Sequence, residues 1–400
     1  MNANNLLTAP HTQILFGDRQ EEYTGQTVKN WCGSRVLIHY GRQHVTDPGL
    51  LDKIRHSLDE AGIEHCELGL VQKNSRLGLV YRGIEFCKER GVDFILAVGG
   101  GSVVNSAKAI AAGVRFAGGL HRMLEHPEEI CDALPLGVIV TVPGSGDELS
   151  DEITVSEEQH EARGIKIYHL RHSCVFPRFA LCNPAIITSF PKHLGLSFAN
   201  ILIRCAETFF TNNICFELSD SICIGILKTL VEMLRRLQQD PGDLAAKANF
   251  MWAGVLAYTG YGLNRSENLA IERLSLGLEA VYDCSHGQAA ALIFPSWLEA
   301  VMSKDPLKAA KFASGVFGIA LDFADPAKTA REGIRAVREL FAQLNLPSSF
   351  EDLGGSGADI PAVLDAAGIN KDDGVGCYVS FSRHGCEVLL SLILTSVADL

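Results

Sequence analysis

Short apolar runs alternate with amphipathic stretches through the first half of the chain. Arg35-Val-Leu-Ile-His-Tyr40 reads as a strand ending at Gly41. Pro48 to Gly62 reads as a helix, because Leu50, Leu51, Ile54, Leu58 and Ala61 recur at helical spacing. His65 to Leu70 is a second short strand, and Ser75 to Gly91 a second helix with Leu77, Val80, Ile84 and Phe86 on its apolar side. Asp93-Phe-Ile-Leu-Ala-Val98 is almost wholly apolar, the pattern of a parallel strand buried on both faces. It runs into Gly99-Gly-Gly-Ser102 and a helix from Val103, and Pro135 to Val142 is another buried strand. Alternation of this kind implies a parallel sheet covered by helices on both faces.

After about Pro191 the strand signals fade and the period becomes helical over 194–237, 242–261, 267–281, 288–302, 305–346 and the C-terminal end. The expected architecture is an α/β domain with a parallel sheet over 1–190, followed by an all-helical domain over 191–400. A cleft between two domains is the expected ligand site.

Composition narrows the class. Four hundred residues are enough for two domains, each with its own core. No apolar run reaches bilayer length, and the opening MNANNLLTAPHTQ lacks the basic-then-apolar order of a secretory signal, so a soluble, cytoplasmic protein is expected. The twelve cysteines are scattered without CxxC pairs, as reduced core thiols are. A formal net charge of −12 with no long Lys/Arg run argues against nucleic acid and anionic membrane as partners, leaving a small-molecule substrate.

The chemistry begins at Gly99, Gly100, Gly101 and Ser102. Glycines between a buried strand and a helix let backbone N–H groups approach a ligand, and the helix N-terminus favours an anion. A dinucleotide pyrophosphate suits that position, although the loop is not the GxGxxG fingerprint.

The stretch Phe94 to Ala111 resembles the GGGSxxDxxK signature of the iron-containing alcohol dehydrogenase family, closest to its butanol- and aldehyde-reducing branch. Thr141-Val-Pro-Gly-Ser-Gly-Asp-Glu148 is similar to that branch's T-x-P-x-T-G-S-E, and Phe179-Ala-Leu-Cys-Asn-Pro184 to its F-x-x-x-D-P. Lys247 to Ala253 and Ser285 to Pro295 also fall in register; the similarity spans about residues 10 to 355. The resemblance implies a dehydroquinate-synthase-like fold: a nucleotide-binding α/β domain, then a helical domain. It implies hydride transfer between NAD or NADP and an alcohol or aldehyde, and a homodimer. Onto this sequence it carries a cofactor set of Gly41, Arg42, Gly99, Gly100, Gly101, Ser102, Asn105, Lys108, Thr141 and Ser145. Arg42 or His44 is placed to meet an NADP 2′-phosphate; NAD and NADP stay open alternatives.

The family's metal site does not carry over. Its Asp and three His correspond here to Asn200, Arg204, Glu272 and His286, and its relay histidine to Leu276. A guanidinium has no lone pair to give and repels a cation. No iron or zinc is therefore expected, and Arg204 is expected to form a buried salt bridge with Glu272 in the space of the lost metal. Asn200, Arg204, Glu272 and His286 are then the candidate catalytic set. The reading favoured by these residues is a metal-independent NAD(P)-dependent oxidoreductase, with Arg204 as electrophile or anion grip and His286 moving the proton. The alternatives are a non-redox lyase, isomerase or hydrolase on the same cleft, and an inactive pseudoenzyme.

Overall fold

The computed structural model describes residues 11–41, 49–159, 164–187, 190–211, 217–259, 269–370 and 374–395. The chain divides into two compact units, one holding Thr8–Glu158 and Lys166–Phe190, the other Met1–Leu7, Gln159–Ile165 and Pro191–Leu400.

In the first unit six strands form one parallel sheet: β1 (Gln13–Phe16), β2 (Arg35–Gly41), β3 (Glu64–Val71), β4 (Phe94–Gly99), β5 (Leu136–Val140) and β8 (Phe179–Cys182), ordered β1-β8-β5-β4-β2-β3. Among the helices between them are α1 (Thr24–Asn30), α2 (Gly49–Glu60), α3 (Leu77–Arg90), α4 (Gly101–Arg115) and α5 (Leu120–Glu125). Every side chain of β4 is buried, which accounts for its unbroken apolar sequence. Val36 and Ile38 of β2, Leu51, Ile54 and Leu58 of α2 and Leu96 and Val98 of β4 build one core cluster. The apolar spacing that predicts α2 is thus the face it buries.

Two features of the sheet are not visible in the sequence pattern. β1 and β8 are four residues each, too short to show a period. β6 (Glu152–Glu158) and β7 (Ile165–Arg171) pair as a separate two-stranded sheet.

The strand order has a functional consequence. From β2 the chain moves outward to β3, then returns to place β4 on the opposite side of β2. At such a reversal the connections leave in opposite directions, opening a crevice at the carboxyl ends of the strands. Gly41 ends β2 and Gly99 ends β4, so both lie at that crevice.

The second unit is helical: α6 (Phe190–Phe209), α7 (Glu217–Gln239), α8 (Leu244–Thr259), α9 (Ala270–Tyr282), α10 (His286–Lys304), α11 (Pro306–Phe317), α12 (Pro326–Gln343), α13 (Ile360–Ala366) and α14 (Arg383–Thr395). The period over 305–346 is divided between two helices. Gly318 closes α11 at φ 74°, and the Asp325 side chain accepts from the Lys328 N–H ahead of Pro326 to start α12. Among the described residues no helix is long and apolar enough to cross a membrane.

Candidate functional site

In the α/β unit the expected cofactor residues gather at the crevice. Gly100 is the N-cap of α4 and no side chain caps that helix, so backbone donors at its first turn face outward. A Cβ on Gly41 would touch Val103 at 3.4 Å, which places the end of β2 against the start of α4. The Thr141 N–H donates to the Gly99 carbonyl at 3.1 Å, tying the β5 end to the same loop. Gly101 has no room for a side chain: a Cβ there would lie 2.4 Å from Asp147 Oδ2 and 2.9 Å from Ser145 Cβ. Gly41, Gly99, Gly100, Gly101, Ser102, Thr141 and Ser145 are therefore brought together. The uncapped helix start and its glycines fit a dinucleotide pyrophosphate. Arg42 and His44 lie outside the described residues.

Asn105 and Lys108 take different parts. Asn105 Nδ2 donates to Asp147 Oδ1 at 2.8 Å and to Gly101 O at 3.1 Å, while its Oδ1 accepts from the Thr154 N–H at 2.8 Å. It thus bonds the glycine loop, the β5–β6 loop and β6. Lys108 is fully buried, and its ammonium donates to Ser150 O, Ser150 Oγ and Glu152 O at 2.8–3.1 Å. Those three acceptors fill its three N–H groups, so its place is that of a loop anchor one turn below the crevice. Burial lowers its pKa to about 8, with Asp147 opposing. Burial raises the Asp147 pKa and lifts Glu148 to about 7. A carboxyl thus sits beside the N-terminus of α4, where the resembling motif has a serine.

In the helical unit, Asn200 and Arg204 are one turn apart on α6, Glu272 is in the first turn of α9, and His286 is the first residue of α10. The expected Arg204–Glu272 salt bridge is not formed. Glu272 Oε2 lies 3.5 Å from His286 Nε2 instead, with its side chain 41% exposed. Among the described residues no carboxylate lies within ion-pairing distance of Arg204, whose guanidinium stacks 5.7 Å from the Tyr258 ring of α8. The first turn of α9 aims Glu272 at the start of α10, while α6 turns Arg204 inward. Arg204 Nε and Asn200 Oδ1 are both buried without a hydrogen-bond partner.

Two further acids complete the set. Glu279, two turns along α9 from Glu272, accepts from His286 Nδ1 at 2.8 Å and is 4% exposed. Glu207, on α6, accepts from the Ile271 N–H at 3.3 Å. Burial pushes the Glu207 carboxyl up to about 8, against the Arg204 charge and with the Glu272 charge. Both acids were legible as a pattern: Glu207 follows Arg204 by three and Glu279 follows Glu272 by seven, which puts each on its neighbour's face. Neither occupies a family ligand position, so the resemblance assigns them no role.

These donors do not fit a divalent metal. Arg204 supplies no lone pair and a fixed positive charge, and Asn200 is neutral. Among the described residues no three His, Cys, Asp or Glu side chains are arranged to hold a metal ion. The group instead offers a guanidinium N–H without an acceptor, an imidazole between two carboxyl groups, and a buried carboxyl whose pKa burial raises to about 8.

Comparison with known proteins agrees with this geometry in outline. Residues 11–184 match the model of the iron-containing alcohol dehydrogenases, and residues 197–393 that of the C-terminal part of the Fe-containing alcohol dehydrogenase family. The chain is 32% identical over 347 residues to NADH-dependent butanol dehydrogenase A of Clostridium acetobutylicum, covering 86% of this chain and 87% of that one. It is 28% identical over 369 residues to an NADPH-dependent aldehyde reductase of Escherichia coli, covering 91% and 92%. The crystal structure of an NADH-dependent butanol dehydrogenase A from Thermotoga maritima superposes with a TM-score of 0.88 at 27% identity, covering 97% of this chain and 98% of the other.

Proposed function

The chain belongs to the iron-containing alcohol dehydrogenase family of oxidoreductases, and on that premise we propose that it is an NAD(P)-dependent alcohol dehydrogenase or aldehyde reductase that works without a divalent metal. The observation that carries the metal-free reading is Arg204, a part-buried guanidinium at a family ligand position whose buried Nε has no acceptor. A carbonyl oxygen satisfies that donor, and a hydrogen bond there stabilises negative charge developing on the oxygen.

Bound dinucleotide supplies the hydride. The first-turn N–H groups of α4 would hold its pyrophosphate, with Gly41, Thr141 and Ser145 beside them. Arg204 orients and polarises the substrate oxygen. His286 exchanges the proton that accompanies reduction or oxidation, with Glu272 beside its Nε2. A guanidinium is a weaker electrophile than a divalent metal, so activated carbonyls, including those carrying an anionic group, are the favoured substrates. The names of the relatives, NADH-dependent in one case and NADPH-dependent in another, support a nicotinamide cofactor and leave both forms as substrates of the test.

The test is oxidation of NADH and NADPH with a panel of small aldehydes and 2-oxo acids, after dialysis against chelator and with elemental analysis of the protein. The expected result is turnover that survives chelation and is lost in R204M. Turnover abolished by chelator and restored by iron or zinc overturns the metal-free reading.

A second reading, an inactive or non-redox descendant, is favoured by Asp147, whose carboxyl crowds the N-terminus of α4. Absence of NADH and NADPH binding by fluorescence titration decides for it.

A further inference from the structure

His286 opens α10 behind a capping box in which Ser285 and Gln288 satisfy each other's backbone donors, so its backbone is fixed. Glu279 Oε1 lies 2.8 Å from Nδ1, on one edge of the ring. A carboxylate only accepts, so this contact requires the proton on Nδ1. The Nε2 edge faces Glu272 Oε2 at 3.5 Å. The ring is therefore held between a buried carboxylate and a half-exposed one.

Glu279 is out of place by packing alone. It lies on α9 among the buried Leu274, Leu278 and Ala280, and burying a carboxylate costs several kcal/mol unless a partner compensates. The compensating partner is the His286 N–H. The remaining charged surroundings come from α6, where Glu207 senses Arg204, Glu272 and His286.

We propose that Glu279 is a positioning residue for His286. It fixes the Nδ1–H tautomer and the ring plane, so that proton exchange takes place at Nε2, on the Glu272 side. This rests on the reading above only in taking His286 as the group that moves the proton. The arrangement supplies on this chain's own residues what an oriented imidazole needs: a buried acceptor behind the ring at Nδ1, with Glu272 facing Nε2.

The experiment is ring ¹⁵N spectroscopy of protein labelled at both histidine ring nitrogens, with the His286 signals assigned by their loss in H286Q. The expected wild-type pattern has Nδ1 protonated and Nε2 exchanging. E279L is expected to return the neutral ring to the Nε2–H form. E279Q keeps an acceptor and the side-chain volume, and is expected to keep the wild-type tautomer. In parallel, kcat for aldehyde reduction should fall at least about tenfold in E279L while KM moves less than about threefold, with E279Q between. A wild-type His286 protonated on Nε2 alone overturns the proposal, as do unchanged ring signals in E279L or wild-type kcat in that variant. Should E279L not fold, the wild-type and E279Q spectra still decide: Nδ1 bare in either overturns it. If the wild type turns over no nicotinamide, the hydride-transfer reading fails while the ring signals still settle the role of Glu279.

Discussion

Asn105 and Asp147, 42 residues apart in sequence, meet at 2.8 Å, with the amide of Asn105 donating to the carboxylate of Asp147. The same amide accepts from the Thr154 N–H at 2.8 Å, so only a side chain with both a donor and an acceptor serves here. N105D sets two buried carboxyls against each other and removes the donor, which costs about 2–3 kcal/mol. N105D/D147N restores a donor–acceptor pair in reverse and should recover most of that loss. Denaturant unfolding of the wild type, both single variants and the double variant measures the coupling. Additive losses refute it.

Gly101 leaves no space for a side chain, since a Cβ there would meet Asp147 Oδ2 at 2.4 Å and Ser145 Cβ at 2.9 Å. G101A must push back the Ser145–Asp147 loop and reshape the start of α4. The Kd for NADH should rise at least about tenfold, or about 1.4 kcal/mol, and the melting temperature should drop. Fluorescence titration and thermal melts check this; unaltered binding would remove the loop from the cofactor site.

The donor set of the helical unit predicts the outcome of rebuilding the family's ligands. N200D/R204H/E272H, together with the native His286, should take up about one divalent metal per chain, the coordination number of a closed or nearly closed site being met. Elemental analysis and calorimetry with zinc read the result. Equal uptake by the wild type would show that Arg204 does not exclude the metal.

His39 gives a pH dependence. It is fully buried, its Nδ1–H donates to Leu68 O at 2.8 Å and its Nε2 accepts from the Ser106 hydroxyl at 2.9 Å. Burial lowers its pKa to about 4. The unfolded chain takes up this proton near the ordinary histidine value, about 6.5, and the folded chain only near 4. Its contribution is therefore fully present above pH 6.5 and is lost as pH falls through that window, by up to about 3 kcal/mol. Stability measured from pH 7 to 4 should fall less steeply in H39L than in the wild type. Parallel curves would exclude His39 as the source.

Much of the fold is legible in the residues. β4 is announced by an unbroken apolar run, and α2 and α3 by their periodic faces, whereas the continuous helical period over 305–346 hides the break between α11 and α12. β1 and β8 escape because four residues carry no period. At the candidate site, the glycine loop and the loss of the metal-ligand types are readable position by position. Glu207 and Glu279 are readable only as helical spacings whose meaning depends on what faces them.

The sequence by itself determined the alternation of strands and helices from β2 to β5, the glycine loop at the end of β4 and the presence of a cation at position 204, because periodicity and residue chemistry are local properties. The tertiary structure decided the pairings. It gave Glu272 to His286 and stacked Arg204 on Tyr258, set Glu279 behind the imidazole, and closed Asn105 onto Asp147. Charge complementarity between Arg204 and Glu272 suggested a different pairing. Which partners meet is fixed by the rotation of α6, α9 and α10 as they bury their apolar faces, and that rotation is a property of the packed helices together.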